Sequence, residues 1–174
     1  MGKRIEITPG FCILWSLLLL TLPLGLILSA AGAALFHELC HWIAIRLLGG
    51  QVRGLTVRAG GMVMETTPMS PGQELICALA GPAGSLLLVL LYKDVPLLSL
   101  CALVQGCFNL LPLYPLDGGR AVRCVLDMMG RGHWMGVIEM GTLALLLILA
   151  IPMGIGPVLV WTMLAARKIP CKDD

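Results

Sequence analysis

Residues 11–48 read FCILWSLLLLTLPLGLILSAAGAALFHELCHWIAIRLL, a nearly unbroken apolar run of 38 residues. As one helix it would be about 57 Å long, well beyond the ~30 Å hydrocarbon core of a bilayer. It therefore has to hold two crossings, and Pro23 with Gly25 marks the break between them. The expected spans are a short first one, about 10–22, and a second, about 25–48. The second carries His37, Glu38 and His41 within five residues. A charge at the bilayer centre costs roughly 2.5–3.5 kcal/mol, so polar groups here call for a reason beyond packing.

The rest of the chain follows the same pattern. It is 58% hydrophobic and 13% charged, with a mean hydropathy of +0.93, which excludes an ordinary soluble domain. Further spans are expected at about 72–92, 96–113, 135–151 and 156–168, the last two split by IPMGIGP. With the N-terminus inside, Lys3, Arg4, Arg46, Arg53, Arg58, Arg120, Arg123, Arg131, Arg167, Lys168 and Lys172 fall on the inner side. Only Lys93 falls outside. That asymmetry supports six spans with both termini cytoplasmic. The fold class is thus an all-α polytopic membrane protein of one domain, residues 1–174.

Two local features modify this. Between spans two and three, Val52, Leu55 and Val57 are spaced loosely like a strand, and Gly60-Gly61 precedes Met62–Thr66 as a turn would. A small membrane-associated β-hairpin is expected, with an irregular loop as the competing reading. In the third span Cys77, Gly81 and Ser85 recur every fourth residue, with Ala80 and Gly84 adjacent. Such a stripe lets another helix approach closely, and packing is the role assigned to it. The seven cysteines form no CxxC pair, so buried thiols are expected. Lys3, Arg4 and SAAGAA imitate a cleavable leader, but cleavage there would remove half the span that holds His37.

HELCH has the form H-E-x-x-H. On a helix His37 and His41 stand one turn apart, so both rings project from one face. That suits two zinc ligands, with Glu38 placed to take a proton from water. A histidine pair bonded to a neighbouring helix is the plainer alternative, and it leaves Glu38 unexplained. A catalytic zinc needs a third protein ligand. Asp117, Glu139 and Asp94 are the acids near the membrane. Asp117 lies in NLLPLYPLDGGR, where two prolines interrupt a helix end, and broken backbone at membrane depth belongs around a cavity. It is the best candidate, although a DGG loop aspartate is also a common interfacial turn. One zinc with two carboxylates and neutral histidines makes a neutral site, as a low-dielectric interior requires.

FHELCH in the second span, AGPAGS in the third and NLLPLYPLDGG after the fourth together resemble the site-2 protease family of intramembrane zinc metalloproteases. Its patterns are HExxH and NxxPxxxLDG, and Asn109, Pro112, Leu116, Asp117 and Gly118 fit the second. The likeness covers about residues 25–125 and is nearest to the branch that processes a sporulation sigma factor. It implies His37, His41 and Asp117 as zinc ligands and Glu38 as general base. Asn109 is implied at the substrate or the oxyanion; by itself it reads equally as a packing amide. Loop 51–66 corresponds to a β-region that takes up unwound substrate as an added strand. The chain departs from the family in Cys40, where Gly is usual, and Ser85, where Asn is frequent. No PDZ- or CBS-like segment is expected.

The expected function is an intramembrane zinc endopeptidase that cuts a membrane-tethered protein in or near its transmembrane segment. Its setting would be a bacterial cytoplasmic membrane, with the site toward the cytoplasm. The lipid bilayer is a partner, nucleic acid is not, and an inhibitory membrane partner fits the family. A catalytically silent scaffold is the main rival, but it has no use for Glu38. A metal transporter would need a second polar cluster toward the outside, and the sequence lacks one. His133, beside Trp134, reads as an interfacial anchor. Glu139 fits either the headgroup level or the bundle interior. Around Arg120, Arg123 and Asp127 a short amphipathic helix is expected.

Overall fold

The computed structural model describes residues 4–58 and 61–150. In chain order the elements are β1 (Arg4–Ile7), α1 (Pro9–Thr21), α2 (Leu24–Leu47), β2 (Val52–Arg58), β3 (Gly61–Thr66) and α3 (Pro71–Leu88). A 3-10 turn, Val89–Leu91, follows. Then come α4 (Pro96–Asn109), α5 (Asp117–Met128) and α6 (Met135–Ala150).

Pro23 separates α1 from α2 as expected, standing as the N-cap of α2. At the other end α2 stops at Gly49, whose φ of 82° is readily available only to glycine. The Gly50 amide donates to the Ile45 carbonyl and the Gly49 amide to Arg46, so a Schellman pair closes the helix. Ser70 and Gln73 form a capping box that starts α3, with Pro71 in the first turn. Gln73 also donates to the Leu48 carbonyl, tying the start of α3 to the end of α2.

Among the described residues, three helical segments are long and apolar enough to cross a membrane: Leu24–Leu47, Pro71–Leu91 and Gly132–Ala150. Two more, α1 and α4, are apolar but have only 13 and 14 residues, about 20 Å each. Among the described residues, three membrane-length helices and two shorter apolar ones thus stand where five of the six spans were expected. The expected fourth span ends early because Leu111–Leu116 leaves helical geometry before α5. The sixth expected span, 156–168, lies outside the described residues. Leu20, Leu35 and Leu47 are largely exposed, as side chains facing lipid would be.

The hairpin forms, with β2 and β3 antiparallel and Val57 opposite Met62. The sheet has a third strand that the sequence reading missed: β1 pairs with β2 in parallel, Arg4 opposite Gly54 and Ile7 opposite Val57. Thr8 extends this pairing, its amide and its hydroxyl both donating to the Val57 carbonyl. The strand order is β1-β2-β3, so β3 has one edge unpaired within the described residues.

The core is a set of close contacts among α2, α3, α4 and α5. The buried residues of α2 are Ile27, Ala33, His37, His41 and Ile45, a single stripe that recurs at every fourth position from Ala33 on. The buried residues of α3 are Cys77, Ala78, Gly81, Pro82, Gly84, Ser85 and Leu88; of these Gly81 and Gly84 abut His37, His41 and Cys40 of α2, while Pro82 and Ser85 meet Gly106 of α4. The small-residue stripe thus does what its spacing predicts, bringing two backbones together.

Candidate metal centre

His37 and His41 lie on the only buried stripe of α2, and Asp117 opens α5. Two glycines explain how Asp117 reaches them. A Cβ on Gly118 would run into the Leu110 carbonyl and stand 2.7 Å from that of Leu111. On Gly119 it would crowd Leu113 and lie 2.5 Å from the Tyr114 amide. The first turn of α5 can therefore fold back against the preceding loop only without side chains there. That close approach carries Asp117 into the α2–α3 crevice, where it is 8% exposed.

Three potential ligand atoms converge. His37 Nε2 is 3.0 Å from Asp117 Oδ2, His41 Nε2 is 3.1 Å from the same oxygen, and the two Nε2 atoms are 3.2 Å apart. Three electron-pair donors this close in a dry site need a cation or protons between them. The separations approach the about 3.3 Å edge of a tetrahedron with ~2.0–2.1 Å bonds, the preferred zinc geometry. Two imidazoles and a carboxylate are also a suitable donor set for zinc. Gly81 keeps the space free: a Cβ there would meet His41 Nε2 and stand 2.7 Å from His37 Nε2. The residues present fit a zinc ion.

The orientations of the two imidazole rings are fixed by partners the sequence reading passed over. His41 Nδ1 lies 2.7 Å from the Cys77 carbonyl, and His37 Nδ1 lies 2.8 Å from Ser85 Oγ. Cys77 and Ser85 belong to the stripe that was assigned packing alone, so that assignment is incomplete. The Cys77 partner is a backbone carbonyl, which residue type does not reveal, and Ser85 fits a packing stripe equally well. The other oxygen of Asp117, Oδ1, faces Arg120 at 3.9 Å, and Arg120 also approaches Glu74 at 3.7 Å.

Glu38 stands next to His37 in sequence and is partly buried. The Met62 backbone on β3 is a neighbour of its carboxylate. The pairing pattern explains this. The Val57 carbonyl accepts from Thr8 on the β1 side, so Val57 and Met62 form a wide pair and Met62 turns its N–H outward. The open edge of β3 thus runs beside Glu38.

Other residues fall outside the cluster. Asn109 ends α4, and its Nδ2 donates to the Gln105 carbonyl at 3.1 Å, a bond within its own helix. Cys40 packs against Gly84, where a Cβ would meet its sulfur. Glu139, ambiguous in the sequence, accepts from the Tyr114 amide at 3.0 Å and so links α6 to the loop before Asp117. His133 is exposed beside Trp134, and Asp94 is exposed in the loop before α4. Among the described residues, the group able to hold a metal ion is His37, His41 and Asp117.

No family model matches the chain. A zinc metalloprotease of Methanocaldococcus jannaschii is 33% identical over 130 residues, covering 66% of this chain and 36% of that protein. A protein assigned to the zinc metalloproteases in Synechocystis is 31% identical over 167 residues, covering 79% of this chain and 43% of that one. The chain thus spans less than half the length of these relatives. The solved site-2 protease from Methanocaldococcus jannaschii superposes with a TM-score of 0.68 at 24% identity, over 94% of this chain and 87% of that one. The fold is that of a site-2 protease.

Proposed function

We propose that this chain is a site-2 protease family member, an intramembrane zinc endopeptidase that cuts a membrane-tethered protein in or near its transmembrane segment. The convergence of His37, His41 and Asp117 on one point, beside Glu38 and within an apolar helix pair, is the observation that carries this reading. Those three side chains would hold one zinc ion, which supplies Lewis acidity to polarise a peptide carbonyl and activate water.

The chain's own residues do the rest. Glu38 accepts the proton of the attacking water and delivers it to the departing amide nitrogen. Arg120 faces Asp117 Oδ1 and leaves Oδ2 to the histidines. Asn109 has a second amide hydrogen beyond the one given to Gln105, and it is assigned to the substrate or the oxyanion. A transmembrane helix has to unwind before its carbonyl can reach the site. The open edge of β3 offers such a segment backbone partners beside Glu38, in the manner of an added strand. The setting in this reading is a bacterial cytoplasmic membrane with the site on the cytoplasmic side. Processing of a sporulation sigma factor is the narrower version.

The test is a comparison of host membrane proteomes with the wild-type protein and with Glu38→Gln. An intact membrane protein that accumulates only beside the variant, with its fragment only beside wild type, supports the reading and names a substrate. Identical proteomes across growth phases favour the silent scaffold.

A further inference from the structure

The two histidines are oriented by different chemistry. His41 Nδ1 faces the Cys77 carbonyl. A carbonyl only accepts, so Nδ1 carries the proton and Nε2 keeps its lone pair. His37 Nδ1 faces a hydroxyl, Ser85 Oγ, which can donate or accept. Only one of these arrangements leaves a lone pair on His37 Nε2, the atom turned toward Asp117 and His41.

The surroundings hold Ser85 in place. It is fully buried, and His37 is only 2% exposed, so bulk water does not compete for the bond. On its far side α4 approaches so closely that a Cβ on Gly106 would stand 3.0 Å from Ser85 Cβ. The side chain is thus backed by one helix and bonded to the next.

We propose that Ser85 is the positioning residue of His37. Its hydroxyl oxygen accepts a hydrogen bond from His37 Nδ1–H and fixes the imidazole with Nε2 toward the metal, as the Cys77 carbonyl does for His41. This inference rests on the zinc reading of His37, His41 and Asp117. A metal-bound histidine whose outer partner is removed typically loses about 10–100-fold in metal affinity.

The test measures zinc affinity of the full chain in detergent by competition with a chromogenic chelator, together with the 15N-resolved Nδ1–H resonance of zinc-loaded His37. The variants are Ser85→Ala, Ser99→Ala and His37→Ala. Ser99 is a matched control: it is 1% exposed, and its hydroxyl donates to the Leu88 carbonyl at 2.9 Å, away from the ligands. Ser85→Ala is expected to weaken zinc binding about 10–100-fold and to shift the Nδ1–H resonance, while Ser99→Ala changes neither. Affinity within about threefold of wild type for Ser85→Ala, or an equal loss in Ser99→Ala, overturns the inference. If His37→Ala loses zinc while Ser85→Ala does not, only this inference falls. Unchanged zinc binding in His37→Ala would overturn the zinc reading and this inference with it.

Discussion

His37 Nε2 and Asp117 Oδ2 lie 3.0 Å apart although 80 positions separate them in the chain. Three glycines make that meeting possible: Gly81 leaves room for the rings, and Gly118 with Gly119 lets α5 fold against the preceding loop. The meeting of His37, His41 and Asp117 therefore depends on missing side chains as much as on those three residues.

Gly81→Ala places a methyl group between the histidine nitrogens. Zinc affinity is expected to fall by at least about tenfold, comparable to losing an orienting partner. Gly25→Ala, where nothing lies within 4 Å, is expected to bind zinc as wild type does. Chelator competition on both variants checks this, and equal affinities would refute it.

Gly118→Ala forces a Cβ against the Leu110 carbonyl, which is backbone and cannot swing aside. Overpacking of this kind costs about 1–3 kcal/mol. Thermal unfolding in detergent should show a lowered Tm, along with reduced zinc content. An unchanged Tm would mean that the turn has slack the geometry does not suggest.

Glu139→Ala removes the carboxylate that accepts from the Tyr114 amide. A hydrogen bond contributes roughly 0.5–1.5 kcal/mol net, so amide exchange across 110–116 should accelerate about two- to tenfold. Hydrogen–deuterium exchange resolved to that loop decides the matter.

Met62→Pro deletes an N–H on the open edge of β3 near Glu38 while leaving the bonds between β2 and β3 intact, a position where an edge strand tolerates proline. Cleavage of a substrate identified by the proteome comparison should fall sharply while zinc content holds. Undiminished cleavage would remove the β3 edge from the substrate path.

Much of this was legible in sequence because its signals are local. His37 and His41 declare themselves by one helical turn, Pro23 by its missing donor, and the hairpin by residues 52–66. Asp117 was reachable because prolines and glycines beside an acid are anomalous in an apolar chain. The pairing of β1 with β2 was not, since it joins residues about 50 positions apart and leaves no periodic trace in a four-residue strand. Ser85 and the Cys77 carbonyl were read as packing because a small residue looks the same in either role. The reach of α4 was overestimated because the apolar run continues past Asn109 into a loop that is apolar but not helical.

The most direct measurement is the zinc content per chain of purified wild-type, Glu38→Gln and Asp117→Ala proteins. One zinc per chain is predicted for wild type and for Glu38→Gln, with Asp117→Ala largely depleted. Equal zinc in all three would contradict the assignment of Asp117. Loss of zinc in Glu38→Gln would make Glu38 a ligand rather than the base.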